Sequence, residues 1–121
     1  LNALAFNHQQ GYGNSVVRSS RDSEYAVFSR VTRMLRQSIV SGDARARIEA
    51  VDKNNQLWTI LAADLASEGN ALPDELRANL LSLADFSLRH GHAVLARKAT
   101  VDALIDVNMS IMKGLRGKVG Q

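Results

Sequence analysis

The chain has 121 residues, which suits one domain, and 45% of them are hydrophobic, so a real core can form. It has no cysteine, one proline and 5% aromatic residues. This excludes a disulfide framework and a cysteine-based metal site, and it argues against a sandwich or barrel built on aromatic and β-branched strands. The formal charge of +3 divides into +3 over residues 1–41, −2 over residues 42–72 and +2 over residues 73–121, too modest a bias to single out nucleic acid.

The opening LNALAFNHQQ has no basic segment followed by an apolar core, so it does not read as a signal peptide. No apolar run is long enough to insert in a membrane. Residues 1–18 are polar, with Gly11 and Gly13, and read as a flexible arm. Ser19 is the expected N-cap of a first helix from about Ser20 to Ser41, with Asp22 at the third position as in a capping box. Val27, Phe28, Val31, Met34, Leu35 and Ile39 fall on one side of it, and Arg30, Arg33 and Arg36 on the other. Gly42 and Asp43 break the chain and restart it.

A second helix is expected from about Ala44 to Ala66. Ala44, Ile48, Val51, Asn55, Trp58, Ala62 and Leu65 follow alternating spacings of four and three, a seam for packing against another helix. Leu57 and Leu61 widen this seam, and Ile60 is an apolar outlier on the polar side. Ser67–Asn70 reads as a turn. Pro73 fits the first position of a third helix, where its missing N–H costs nothing, and Asp74 and Glu75 suit the positive end of the helix dipole. Leu76, Leu80, Leu81, Leu83, Ala84 and Leu88 cover a wide arc, as a helix with more than one neighbour requires. Gly91 interrupts the pattern as a kink or a local cost, and the helix is expected to continue to about Arg97. Thr100 is the expected cap of a fourth helix whose apolar face holds Val101, Leu104, Ile105, Asn108, Ile111 and Met112. Gly114 is expected to end it in the left-handed conformation, leaving a frayed tail over residues 116–121. The fold class is therefore all-α: a bundle of about four amphipathic helices, with a helical domain over residues 19–115.

No catalytic constellation emerges. His90 and His92 are two residues apart, so on a helix they point to different sides and could not easily chelate one metal. Gly11-Tyr12-Gly13 lacks the Lys-Ser/Thr and the preceding strand of a phosphate loop. No serine sits in a nucleophile elbow. Neither a metal nor a cofactor is expected. Arg30, Arg33 and Arg36 form a basic face that could meet phosphate, although no aromatic residue interleaves them for base stacking. Trp58 lies in a seam and reads as core. Asn55 and Asn108 are polar residues on apolar seams; satisfying each other, capping local backbone and setting pairing specificity are all open to them. Ile60, Leu81, Leu88 and Met109 depart from the tidy faces and are the candidate partner-binding residues.

Three blocks taken together carry a resemblance: Leu57-Trp58-Thr59, Leu72–Leu83 (LPDELRANLLSL), and Leu104–Asn108 (LIDVN) leading to Ile111–Leu115 (IMKGL). In that order and spacing they resemble the flagellar biosynthesis regulator FlaF family. The likeness extends upstream to Ser19–Glu24, where the family pattern favours proline at the position of Ser20. The resemblance implies a cytoplasmic, non-enzymatic bacterial protein linked to flagellin production and export, in company with an FlbT-type regulator that acts on flagellin messenger RNA. It supplies no catalytic residues. The expected partner is flagellin, bound in a chaperone-like way; the alternatives are RNA, met through the basic face, and another flagellar regulator for which this chain is an adaptor.

Overall fold

A computed structural model describes residues 14–120, with side chains described for residues 23–116. Four helices make up an all-α fold: α1 (Asn14–Ser41), α2 (Ala44–Leu65), α3 (Asp74–Leu95) and α4 (Asp102–Gly120). There is no strand among the described residues. Short connections make consecutive helices antiparallel. The helices close a ring in which α2 lies between α1 and α3, and α4 lies between α3 and α1. The pairs α1/α3 and α2/α4 face each other across the bundle.

Local chemistry explains most of the helix ends. Gly42 has φ +64°, the left-handed conformation that glycine adopts without a Cβ penalty, and its N–H reaches back to the Ser38 carbonyl at 3.1 Å. Asp43 then caps α2, its Oδ1 accepting from the Arg45 N–H at 3.2 Å. After α2, the Asn70 side chain accepts from the Leu72 N–H and donates to Asp64, which folds the connection on itself.

Four boundaries differ from the sequence reading. Helix α1 already runs from Asn14, so Ser19 lies inside it; of the arm expected over residues 1–18, residues 1–13 lie outside the described residues. Pro73 occupies the cap position of α3, with ψ 145°, and not its first turn. Thr100 does not cap α4 through its hydroxyl, which donates to Asp102 Oδ2 at 2.8 Å; the Val101 carbonyl accepts the first helical N–H groups instead. Gly114 stays helical, α4 is assigned through Gly120, and Leu115 is buried in the core.

The core has two clusters separated by a polar layer. One cluster joins Phe28, Trp58, Leu61, Leu65, Leu80, Ile111 and Leu115, with Phe28 packed edge-on against Trp58 at a ring distance of 5.7 Å. The other, nearer the α1–α2 and α3–α4 turns, joins Leu35, Val51, Val94, Val101, Leu104 and Ile105. Between them, Trp58 Nε1 donates to Asn108 Oδ1 at 2.9 Å, Asn108 Nδ2 to Asn54 Oδ1 at 2.8 Å, and Asn54 Nδ2 to Ser87 Oγ at 3.2 Å. All four residues are fully buried. The chain of bonds ties α2 to α4 across the bundle and to α3 at its side. A buried amide left without partners costs about 1–3 kcal/mol, so this layer favours one register of the three helices over its neighbours.

Asn108 is thus satisfied by Asn54 and Trp58, not by Asn55. The buried stripe of α2 includes Ala50, Asn54, Leu57 and Leu61 beside Val51, Trp58 and Leu65. Two neighbours, α1 and α3, rotate the burial away from the single seam that a one-partner helix would show, and Ile48 on that seam is exposed. Ile39, expected on the core side of α1, is exposed as well, because it lies at the helix end, past the last layer of the core. Gly91 has a packing reason: a Cβ there would lie 2.2 Å from Asn55 Oδ1, so the glycine lets the Asn55 side chain of α2 press against the α3 backbone.

Candidate functional site

The four apolar residues singled out from the sequence divide into two pairs. Ile60 and Met109 are surface residues, 53% and 41% exposed. Leu81 and Leu88 are half-buried and pack against the larger core cluster. The wide apolar arc of α3 therefore serves mainly to meet its neighbours. Ile60 sits on α2 and Met109 on α4, which are not adjacent in the ring, so the four do not assemble into one patch. Met109 has surroundings of its own. It lines a groove of about 580 Å³ between α1 and α4, with Tyr25, Met112, Lys113 and Arg116. Methionine and tyrosine side chains with a basic margin give this groove an adaptable apolar lining.

Arg30, Arg33 and Arg36 are exposed on α1, and none of them forms an ion pair among the described residues. They are a row of solvated cations. Arg18 and Arg21, which precede this row, lie outside the described side chains.

His90 and His92 serve different surroundings. His90 Nε2 is 2.8 Å from the Thr100 carbonyl, an acceptor, so this nitrogen carries the proton and ties α3 to the α3–α4 connection. Its ring also stacks on Phe86 at 5.4 Å. His92 is exposed. Among the described residues, no group of His, Asp or Glu is arranged to hold a metal ion, and no helix is long and apolar enough to cross a membrane.

A second pocket, of about 390 Å³, lies at the end of the bundle that carries the α1–α2 and α3–α4 turns. Val94 and Val101 are buried in its wall, while Ile39, Arg47 and Arg97 line it from the more open side. The sequence reading passed over Arg47 and Arg97, because two arginines that line one pocket from the start of α2 and the α3–α4 connection leave no local pattern.

The family model for the flagellar protein FlaF matches residues 8–115. The chain belongs to the FlaF family. The match covers most of the chain and all of α2 and α3, which agrees with the resemblance carried by the Trp58, Pro73 and Asn108 blocks. No curated protein and no solved structure matches the chain. This FlaF-family protein is therefore a flagellar protein with an all-α fold, and its core holds Trp58 and Asn108 from two of those blocks in direct hydrogen bond.

Proposed function

We propose that this FlaF-family protein is a non-enzymatic, cytoplasmic factor that binds unassembled flagellin in a chaperone-like way during its production or export. The observation that carries this reading is the family match over residues 8–115. The α1–α4 groove around Met109 supports it, because an amphipathic helix can lay its apolar face into such a groove. Ile60 offers a second, separate apolar contact, whereas Leu81 and Leu88 contribute mainly through the packing beneath. Capture of a disordered helical client shields apolar surface that would otherwise aggregate, at the cost of ordering it.

Titration of purified flagellin monomer by calorimetry at low and high salt tests the proposal. Affinity is expected to survive the rise in salt and to fall when Met109 is replaced by Asp in a folded variant. No measurable binding by the intact chain defeats it. RNA binding through Arg30, Arg33 and Arg36 is the competing reading. It is favoured only if RNA binds with a steep salt dependence and replacing the three arginines abolishes that binding. Binding to an FlbT-type regulator without any affinity for flagellin would make the chain an adaptor instead.

A further inference from the structure

Helix α3 ends in the paired-hydrogen-bond form of the left-handed cap. Arg97 N–H reaches the Val94 carbonyl at 3.0 Å and Lys98 N–H the Ala93 carbonyl at 2.8 Å. The left-handed residue of that cap is Arg97, with φ 62°. At the same end of the bundle the α1–α2 turn meets the same backbone requirement with Gly42, the residue that carries no steric cost there. The α3 cap thus keeps a side chain where glycine would fold more easily, and Arg97 is one of the residues that line the end pocket. A strained position that persists beside a cavity points to a use for the side chain.

The charge at this end is also unbalanced. Arg47 is half-buried at the pocket, and neither it nor Arg97 forms an ion pair among the described residues. Residues 36–49 and 92–103 hold five basic and three acidic side chains. Two of those acids are already engaged, Asp43 as the cap of α2 and Asp102 by the Thr100 hydroxyl. Exposed aliphatic residues gather at the same end: Ile39 and Ile48 at 51%, Val40 at 88% and Leu95 at 40%.

We propose that the end pocket docks an acidic amphipathic segment of a partner protein. An aliphatic side chain of the partner enters beside Ile39 against Val94 and Val101, and an adjacent carboxylate pairs with Arg47 and Arg97. Guanidinium groups favour carboxylates through charge-assisted, often two-pronged hydrogen bonds. The pocket has no aromatic residue on which a base could stack, and its wall is apolar, so a protein segment suits it better than RNA. This surface shares no lining residue with the Met109 groove, and the proposal stands independently of the flagellin reading.

The test uses the full chain and a synthetic amphipathic peptide of about 18 residues, long enough to hold a helix, with Leu on one face and flanking Glu. A matched peptide carries Lys in place of Glu. Fluorescence anisotropy is expected to show saturable binding of the Glu peptide and binding of the Lys peptide weaker by roughly ten-fold or more. Amide shifts should fall on residues 38–48 and 94–101. Arg47→Glu and Arg97→Glu should each weaken the Glu peptide by roughly ten-fold, and Ile39→Ser should weaken both peptides. Arg97→Gly separates fold from function: it should raise the melting temperature and still lose affinity. Equal affinity for the two peptides, shifts confined to the rest of the bundle, no saturable binding, or unchanged affinity in Arg97→Gly would each overturn the proposal. So would an RNA oligonucleotide that binds with the same arginine dependence and is indifferent to Ile39→Ser.

Discussion

In the middle of the bundle Trp58, Asn108, Asn54 and Ser87 pass hydrogen bonds from one to the next while fully buried, whereas at the two-turn end Arg47 and Arg97 form no ion pair among the described residues and Ile39 and Val40 are exposed. The same residue classes, polar and aliphatic, are closed off from water in one region and left open in the other. In the middle Asn54, Asn108 and the Trp58 indole find their partners in one another and in Ser87, and so the layer fixes how the helices meet. At the end the aliphatic residues are exposed among the described residues, and the backbone of Arg97 holds a conformation that costs stability. The first region serves folding; the second is open to contact.

Trp58→Ala should show the largest effect. It removes the centre of the larger core cluster and leaves Asn108 Oδ1 without its donor, and chemical denaturation should show a loss of about 3–5 kcal/mol. A much smaller loss, accompanied by loss of partner binding, would move Trp58 from core to docking residue and break the contrast.

Gly91→Ala tests the middle region from the side of shape. The new Cβ meets Asn55 Oδ1, the far end of a side chain that must turn aside, so the variant should lose about 1 kcal/mol despite the better helix propensity of alanine. Combining it with Asn55→Ala should recover most of that loss in a double-mutant cycle. Additive losses in the double variant would show that the close approach is not the reason for glycine.

At the open end the sign should reverse. Arg97→Gly relieves the left-handed backbone and should stabilise the fold by about 1 kcal/mol in the same denaturation assay. A destabilised Arg97→Gly protein would mean that the arginine side chain supports the fold, and the distinction between the regions would narrow. The smallest effect is expected for Met109→Asp. An exposed substitution of this kind should change stability by no more than about 0.5 kcal/mol while reducing affinity for flagellin in calorimetry.

Much of the fold could be read from the chain. Asp43 was recognisable as the start of α2 because a capping side chain followed by amphipathic periodicity is a local signal. The Gly42 break, the burial of Trp58 and the exposure of Ile60 were equally legible. The partner of Asn108 was not. Asn54 and Asn55 are neighbours in sequence, and only the rotation of α2 between two other helices decides which of them faces inward. The half-burial of Leu81 and Leu88 was hidden for the same reason, since a helix with two neighbours covers residues that a single seam would leave outside. Of the sites, the apolar outliers Ile60 and Met109 were visible as departures from pattern. The end pocket was invisible, because its residues come from two helix–turn–helix segments far apart in the chain.

The sequence by itself determined four amphipathic helices, the turn at Gly42 and the FlaF-family likeness, because each of these is written in local spacing or in residue type. Only the tertiary structure decided that Trp58, Asn108, Asn54 and Ser87 form one buried layer, that Gly91 makes room for Asn55, and that Arg97 takes a left-handed cap beside Arg47. Those outcomes depend on the rotation and register of whole helices against one another. Rotation and register are set by the sum of many packing contacts, and no short stretch of sequence contains that sum.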